Sequence, residues 1–335
     1  EAHWSPPGGG IERGPNNAAN AYGHRPFRGD EAAPATGEPA TSEGGGASEP
    51  NDYWDNLDYV VDAIRKRGMY LALLPTWGST MITSSSEYTE EEARVFGTFL
   101  GRRYRHEPHI VWVLGGDTKA RLEGYDKNQI LRDFDNRGVF RAMAEGLVFG
   151  VTGVEAAWDR PDPAWDRLFM TYHPDGDAPY NSSRWFHQDV WLDANGVEVW
   201  KEVDDVYRTV LDDYQRDDPV KPSVFLEGSY EYGRYRHECG WVTPVRVRRQ
   251  FYQTFFAGGA GHTYGAAPIW SMRGSGGDYN CGYSWEQALS FPGASQLTMV
   301  GKAFLTEHRW WEWVPDGRAV ESVGEGEGLK AGVIN

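Results

Sequence analysis

Apolar positions recur at helical spacing in Tyr53, Leu57, Val60, Val61 and Ile64, which predicts a helix over residues 52–67 stopped by Gly68. The run Met69-Tyr-Leu-Ala-Leu-Leu-Pro75 is continuously apolar and short, as in a strand covered on both faces. Thr89-Glu-Glu-Glu92 carries a capping-box pattern and opens a second helix, to about Tyr104. His109-Ile-Val-Trp-Val-Leu114 is the next buried strand, ending in Gly115-Gly116-Asp117. The cycle repeats through a helix at 129–147, strand 168–172, a helix at 201–215 and strand 223–226. A helix at 244–257 then leads into Gly261-His-Thr-Tyr-Gly265, and another covers roughly 295–308.

Helices alternating with continuously apolar strands predict an α/β fold with parallel strands under helical cover. A barrel and an open doubly wound sheet both fit. Polar residues directly after almost every strand favour the barrel: Thr76 and Trp77, Asp117, His173, Glu227, and His262 with Tyr264. A (β/α)8 TIM barrel assembles its site from many strand ends, whereas an open sheet uses one switch point. About five strands are visible, so the barrel is expected to lack its first one or two. Residues 51–316 are expected to form the catalytic barrel, 1–50 a loop-rich segment, and 317–335 a linker or the start of a C-terminal β-sandwich. The run from Gly29 to Gly46 reads as a flexible insertion or long loop.

Aromatic residues change this picture. The chain holds 15 Trp, 18 Tyr and 14 Phe, as either a large aromatic core or a surplus that lines sugar-stacking grooves. A net charge of −16 repels phosphate backbones and anionic membranes, so nucleic acid is not an expected partner. No apolar run is long enough to predict a membrane span. Cys239 and Cys281 permit one disulfide, and two free thiols fit the sequence equally well.

Asp117 and Glu227 are the best-placed pair of carboxylates, each following an apolar strand. Glycoside hydrolysis needs a protonated acid at the leaving oxygen and a carboxylate at the anomeric carbon. Partial burial and a neighbouring carboxylate raise one member of such a pair. The bland alternatives are a turn residue at Asp117 and a rim ion pair at Glu227. Glu231, Asp189 and Asp193 are rival carboxylates. Trp185-Phe-His187-Gln-Asp-Val-Trp191-Leu-Asp193 interleaves rings with acids, suiting either sugar binding or a packed loop. His173 and His262 suit either a sugar hydroxyl or a structural hydrogen bond. Gly115 and Gly116 allow a tight turn or a close approach of substrate. His106-Glu-Pro-His109 is a weak metal pattern because Pro108 breaks the helix that would present both rings. No HExxH, Walker loop or strand-borne GxGxxG occurs, so no metal or cofactor is expected.

Several ordered motifs together resemble the apiosidase-like glycoside hydrolases, a bacterial TIM-barrel family. They are Asn20-Ala-Tyr-Gly23 with Arg25-Pro-Phe27, Tyr70 to Gly78, Ile110 to Asp117, Tyr172-His-Pro174, Trp191-Leu-Asp193, Gly261 to Gly265 and Trp310-Trp311 to Asp316. The resemblance implies that Asp117 is the catalytic acid/base and Glu227 the second catalytic residue. The stretch Phe225-Leu-Glu227-Gly-Ser-Tyr230-Glu231 keeps the Glu, Tyr and second Glu of the family pattern but not its Asp-Gly and Pro. A retaining O-glycosidase acting on furanosidic, pectic or other plant glycan linkages is therefore expected, secreted or periplasmic. Trp77, His173, His187, Trp191, Asp193, Tyr230, Glu231, His262 and Tyr264 are its expected substrate-binding residues. The alternative is a non-catalytic carbohydrate-binding or scaffold protein on a degenerate barrel.

Overall fold

The computed structural model describes residues 17, 19–20, 22–29, 34–42, 51–78, 88–125, 131–199, 203–235, 238–272 and 278–316. Contacts divide the chain into two compact units, Glu1–Glu198 and Val199–Asn335.

In the first unit, β1 (Phe27–Gly29) pairs antiparallel with β2 (Pro34–Pro39). The stretch read as a flexible insertion thus contains a strand. Its partner β1 is anchored by Phe27, which is buried and meets Trp54 and Phe96 edge-on at ring-centroid distances of 6.3 and 5.0 Å. Asn17 fixes this entry, its side chain accepting from the Phe27 amide at 2.8 Å.

Helix α1 (Tyr53–Arg65) starts on a capping box of Asp52 and Asp55, and Gly68 beyond its end takes a φ of +66°. β3 (Leu71–Leu73), β4 (Ile110–Gly115) and β7 (Phe169–His173) form a parallel sheet, as the apolar runs predict. Its register sets Leu71 opposite Ile110 and Gly115 opposite His173. Between these strands lie α2 (Glu90–Arg103), on the predicted Thr89–Glu92 box, and α3 (Arg137–Thr152). The two helices touch through glycines: a Cβ on Gly97, Gly101, Gly146 or Gly150 would meet opposing backbone at 2.3–2.4 Å.

The helix predicted at 129–147 begins later than expected. Residues 131–135 form β6, antiparallel to β5 (Arg121–Tyr125), with Leu122 opposite Phe134. Asp135 ends that hairpin by gripping the Arg137 guanidinium at 2.9 and 2.6 Å, so helical geometry starts only after it. The short helix α4 (Ser183–Phe186) and strand β8 (Asn195–Glu198) complete the unit.

The second unit contains α5 (Val203–Tyr214), β9 (Ser223–Glu227), α6 (Pro244–Phe256) and β10 (Gly261–His262). β9 and β10 run parallel, with Val224 opposite Gly261 and Phe225 opposite His262. α7 (Ala267–Ser271), α8 (Trp285–Ala288) and α9 (Pro292–Glu307) follow. Val247, Phe251 and Phe255 of α6 pack with Leu297 of α9 as the local core. Cys239 and Cys281 are joined in a disulfide, settling the choice that the sequence leaves open. No helix among the described residues is long and apolar enough to cross a membrane. Residues 317–335, the expected linker or sandwich start, lie outside the described residues, as does the glycine-rich run 274–277.

Candidate functional site

In the first unit, the site is built on the ends of β4 and β7. Because Gly115 and His173 are paired, the chain leaves both strands at one level. Gly115, Gly116 and Asp117 then all take positive φ, at 84°, 119° and 45°. Two glycines in this region cost little, but Asp117 there is a strained residue held by its surroundings. The Gly116 amide donates to the His173 carbonyl at 3.0 Å, and Trp77 leaves no room for a Cβ on Gly116, its ring standing 2.9 Å away. This turn delivers the Asp117 side chain to the exposed surface beside a buried wall.

The wall contains His173 and Glu198, both buried. The Nδ1 of His173 lies 3.1 Å from the Pro174 carbonyl, 3.4 Å from the Asp117 amide and 3.4 Å from a Glu198 carboxylate oxygen. Trp77 meets the same imidazole at 5.6 Å between ring centroids. Asp117, His173 and Glu198 each bring a donor atom within 4.8 Å of the others. Such a set is what a divalent cation uses, and with one carboxyl protonated it is also what a general acid uses. Glu198 is not among the residues expected from sequence. It ends a four-residue strand, Asn-Gly-Val-Glu, with no long apolar run before it. Its only signal is an acid between Val197 and Val199 just past an aromatic-rich loop.

The loop at 185–193 takes the packed alternative. Asp189 is buried and receives two hydrogen bonds from Arg141 at 2.7 and 2.9 Å, and one from the Trp191 indole at 2.9 Å. Trp191 is 1% exposed and packs against Phe186, so it has no open face to stack a sugar. Asp193 accepts from the Met170 amide at 2.7 Å. Met170 lies three residues upstream of His173, about 10 Å along the strand, so Asp193 ties down the far end of β7. His187 is buried, with Nδ1 3.2 Å from Asn195 Oδ1. These four side chains brace β7 and β8 and do not form a sugar-facing surface.

In the second unit, Glu227 closes β9 and is half-buried. Its backbone is pinned: the Val199 amide donates to the Glu227 carbonyl at 3.1 Å. Gln250 of α6, 1% exposed, accepts from the Ser229 amide at 3.0 Å and donates to the Val199 carbonyl at 2.8 Å. A buried glutamine with both amide ends used fixes the loop that carries Glu227. Sequence reading misses it, because a Gln inside an amphipathic helix looks like an ordinary surface position.

His262 stacks face to face on Phe225 at 4.8 Å and sets Nδ1 3.1 Å from the Thr254 hydroxyl. Burial lowers its pKa to about 3, so it is neutral. Glu231 is wholly buried and accepts from the Tyr264 hydroxyl at 2.5 Å and the Gly293 amide at 3.0 Å, so it is a brace rather than a sugar contact. Burial first, then that carboxylate, raise the Tyr264 pKa, keeping the phenol protonated as donor. Tyr230 remains half-buried and meets the rings of Trp270 and Tyr279 at 6.2 and 6.3 Å.

The family model described as "Apiosidase-like, catalytic domain" matches residues 12–312. A solved glycoside hydrolase is similar with a TM-score of 0.73 at 25% identity, over 95% of this chain and 67% of its own. A glycoside hydrolase family 5 protein from Bacteroides vulgatus is similar in fold with a TM-score of 0.71 at 24% identity, over 95% of this chain and 64% of its own. The chain thus spans about two thirds of each. No curated protein matches it. Parallel strands under helical cover, as in TIM-barrel-type glycosidases, and a family match over most of its length assign the chain to the apiosidase-like glycoside hydrolases.

Proposed function

We propose that this glycosidase is a retaining enzyme acting on furanosidic or related linkages in pectic or other plant glycans. Asp117 is its acid/base and Glu227 its nucleophile. The observation that carries the reading is the Asp117 turn, where a strained, exposed carboxylate stands beside buried His173 and Glu198. The glycine-built turn and the His173 contact with the Asp117 amide fix the backbone that carries this carboxylate, and proton transfer depends on such positioning. Glu227 sits at the equivalent end of its own strand, its backbone clamped through Gln250.

In this mechanism Asp117 protonates the leaving oxygen while Glu227 attacks the anomeric carbon. Asp117, now ionised, then takes a proton from the water that releases the sugar from Glu227. Trp77 offers an aromatic wall beside His173. A polymeric glycan places the enzyme in the periplasm or outside the cell, and the Cys239–Cys281 bond supports an oxidising compartment.

The test is product analysis on pectic oligosaccharides, with proton NMR of the first anomer released. Retention is expected; the inverted anomer refutes the nucleophilic role of Glu227. Glu227→Gln and Asp117→Asn should each lower kcat by at least about 10³-fold with the circular dichroism spectrum unchanged. Near-normal turnover in either variant removes that residue from the mechanism.

A further inference from the structure

One surface feature of the second unit is not used by the chemistry above. Trp270 is 52% exposed and Tyr279 37% exposed, and these two large rings stand together. Their centroids are 5.5 Å apart at 67°, and each meets Tyr230 at 6.2–6.3 Å and 60–71°. This is a cluster of three rings in edge-to-face and tilted contact, two of them partly exposed.

The cluster is continuous with the Glu227 strand end. Tyr230 is three residues beyond Glu227, and its ring lies over Gly265, where an added Cβ would stand 2.6 Å from it. Gly265 in turn lies three residues past β10, which pairs with β9. The backbone of two of these residues is tied into the fold. The Gly233 amide donates to the Tyr230 carbonyl at 2.8 Å, and the Arg234 amide to the Tyr279 carbonyl at 3.0 Å. Cys281, two residues past Tyr279, is bonded to Cys239. Rings carried on backbone anchored in this way have less entropy to lose on binding a ligand.

We propose that Tyr230, Trp270 and Tyr279 form a saccharide-binding platform for the sugar units next to the one attacked by Glu227. The occupant is a glycan chain, because the C–H faces of sugar rings match aromatic faces and the platform adjoins a glycosidase strand end. The inference rests on Glu227 being the catalytic residue, and it predicts that the enzyme prefers oligosaccharides over simple aryl glycosides.

The test uses the full chain with Trp270→Ala, Tyr279→Ala and the pair. kcat/KM is measured on pectic oligosaccharides and on the p-nitrophenyl glycoside of the sugar released. The ratio of the two should fall tenfold or more in each variant; an unchanged ratio overturns the platform. A second arm measures retardation in a native gel containing pectin, in a Glu227→Gln background. Loss of retardation with Trp270→Ala supports the platform even if Glu227→Gln still turns over, an outcome that would sink the mechanism alone. Retardation that persists in the Trp270 and Tyr279 variants overturns it. So does a concentration-dependent dimer that they dissociate without changing retardation, since the rings would then cover a second copy.

Discussion

At the scale of single residues, polar side chains packed against the strands make predictions of their own. His262 is the clearest case for pH. Its pKa of about 3 in the folded chain lies below the ordinary value near 6.5, so the unfolded chain binds the proton first. The stability it supports is complete above about pH 6.5 and falls as the pH drops toward 3. Between pH 7 and 5 the loss should be about 2 kcal/mol, and His262→Phe should remove that slope while keeping the stack on Phe225. Urea unfolding at both pH values measures it; an equal slope in the variant refutes the assignment. Gln250 makes a different prediction. Gln250→Leu strands the Ser229 amide and the Val199 carbonyl, at about 1–3 kcal/mol for each buried group. Because these groups flank Glu227, kcat should also fall about tenfold or more with KM little changed, read from steady-state kinetics.

Elements were legible where burial alone decides them. The apolar runs at 69–75, 109–114, 168–172 and 223–226 became strands because covered parallel strands need no alternation. Thr89 and Glu92 capped their helix as written in the sequence. β2, β8 and the β5–β6 hairpin were hidden, because Pro, Gly and charged residues fill them and break the apolar pattern that marks a strand. The same logic divides the candidate site. Asp117 and His173 were readable as polar residues ending apolar strands. Trp191 and Asp193 share the composition of a sugar-binding loop, and only the Arg141–Asp189 pair and the Met170 amide reveal that they face inward. The contact of α2 with α3 carries a further prediction. Gly146→Ala puts a Cβ 2.3 Å from the Arg94 carbonyl oxygen, so the helices must separate. A cost of about 3 kcal/mol is expected from such overpacking, measured as a lowered urea midpoint. A neutral Gly146→Ala would mean that the crossing is looser than described.

At the scale of the whole molecule, the question is what a chain of net charge −16 does with the donors at Asp117, His173 and Glu198. A strongly acidic protein gathers divalent cations around its surface, so cation binding by itself says nothing about mechanism. The two chemistries differ in what chelation removes. In a two-carboxylate mechanism the proton on Asp117 and the attack by Glu227 supply the catalysis, and no ion is consumed or required. In a metal-assisted mechanism the ion would generate the attacking hydroxide, and Asp117 would have to stay ionised to hold it. Exhaustive treatment with EDTA, followed by buffer exchange, should therefore leave kcat within about twofold on pectic oligosaccharides. Asp117→Asn, which keeps the shape but holds no exchangeable acid proton, should abolish turnover whether or not zinc or calcium is added back. Activity that disappears with the chelator and returns with one particular ion would make Asp117, His173 and Glu198 ligands. That result would replace the acid/base role while leaving the family assignment intact.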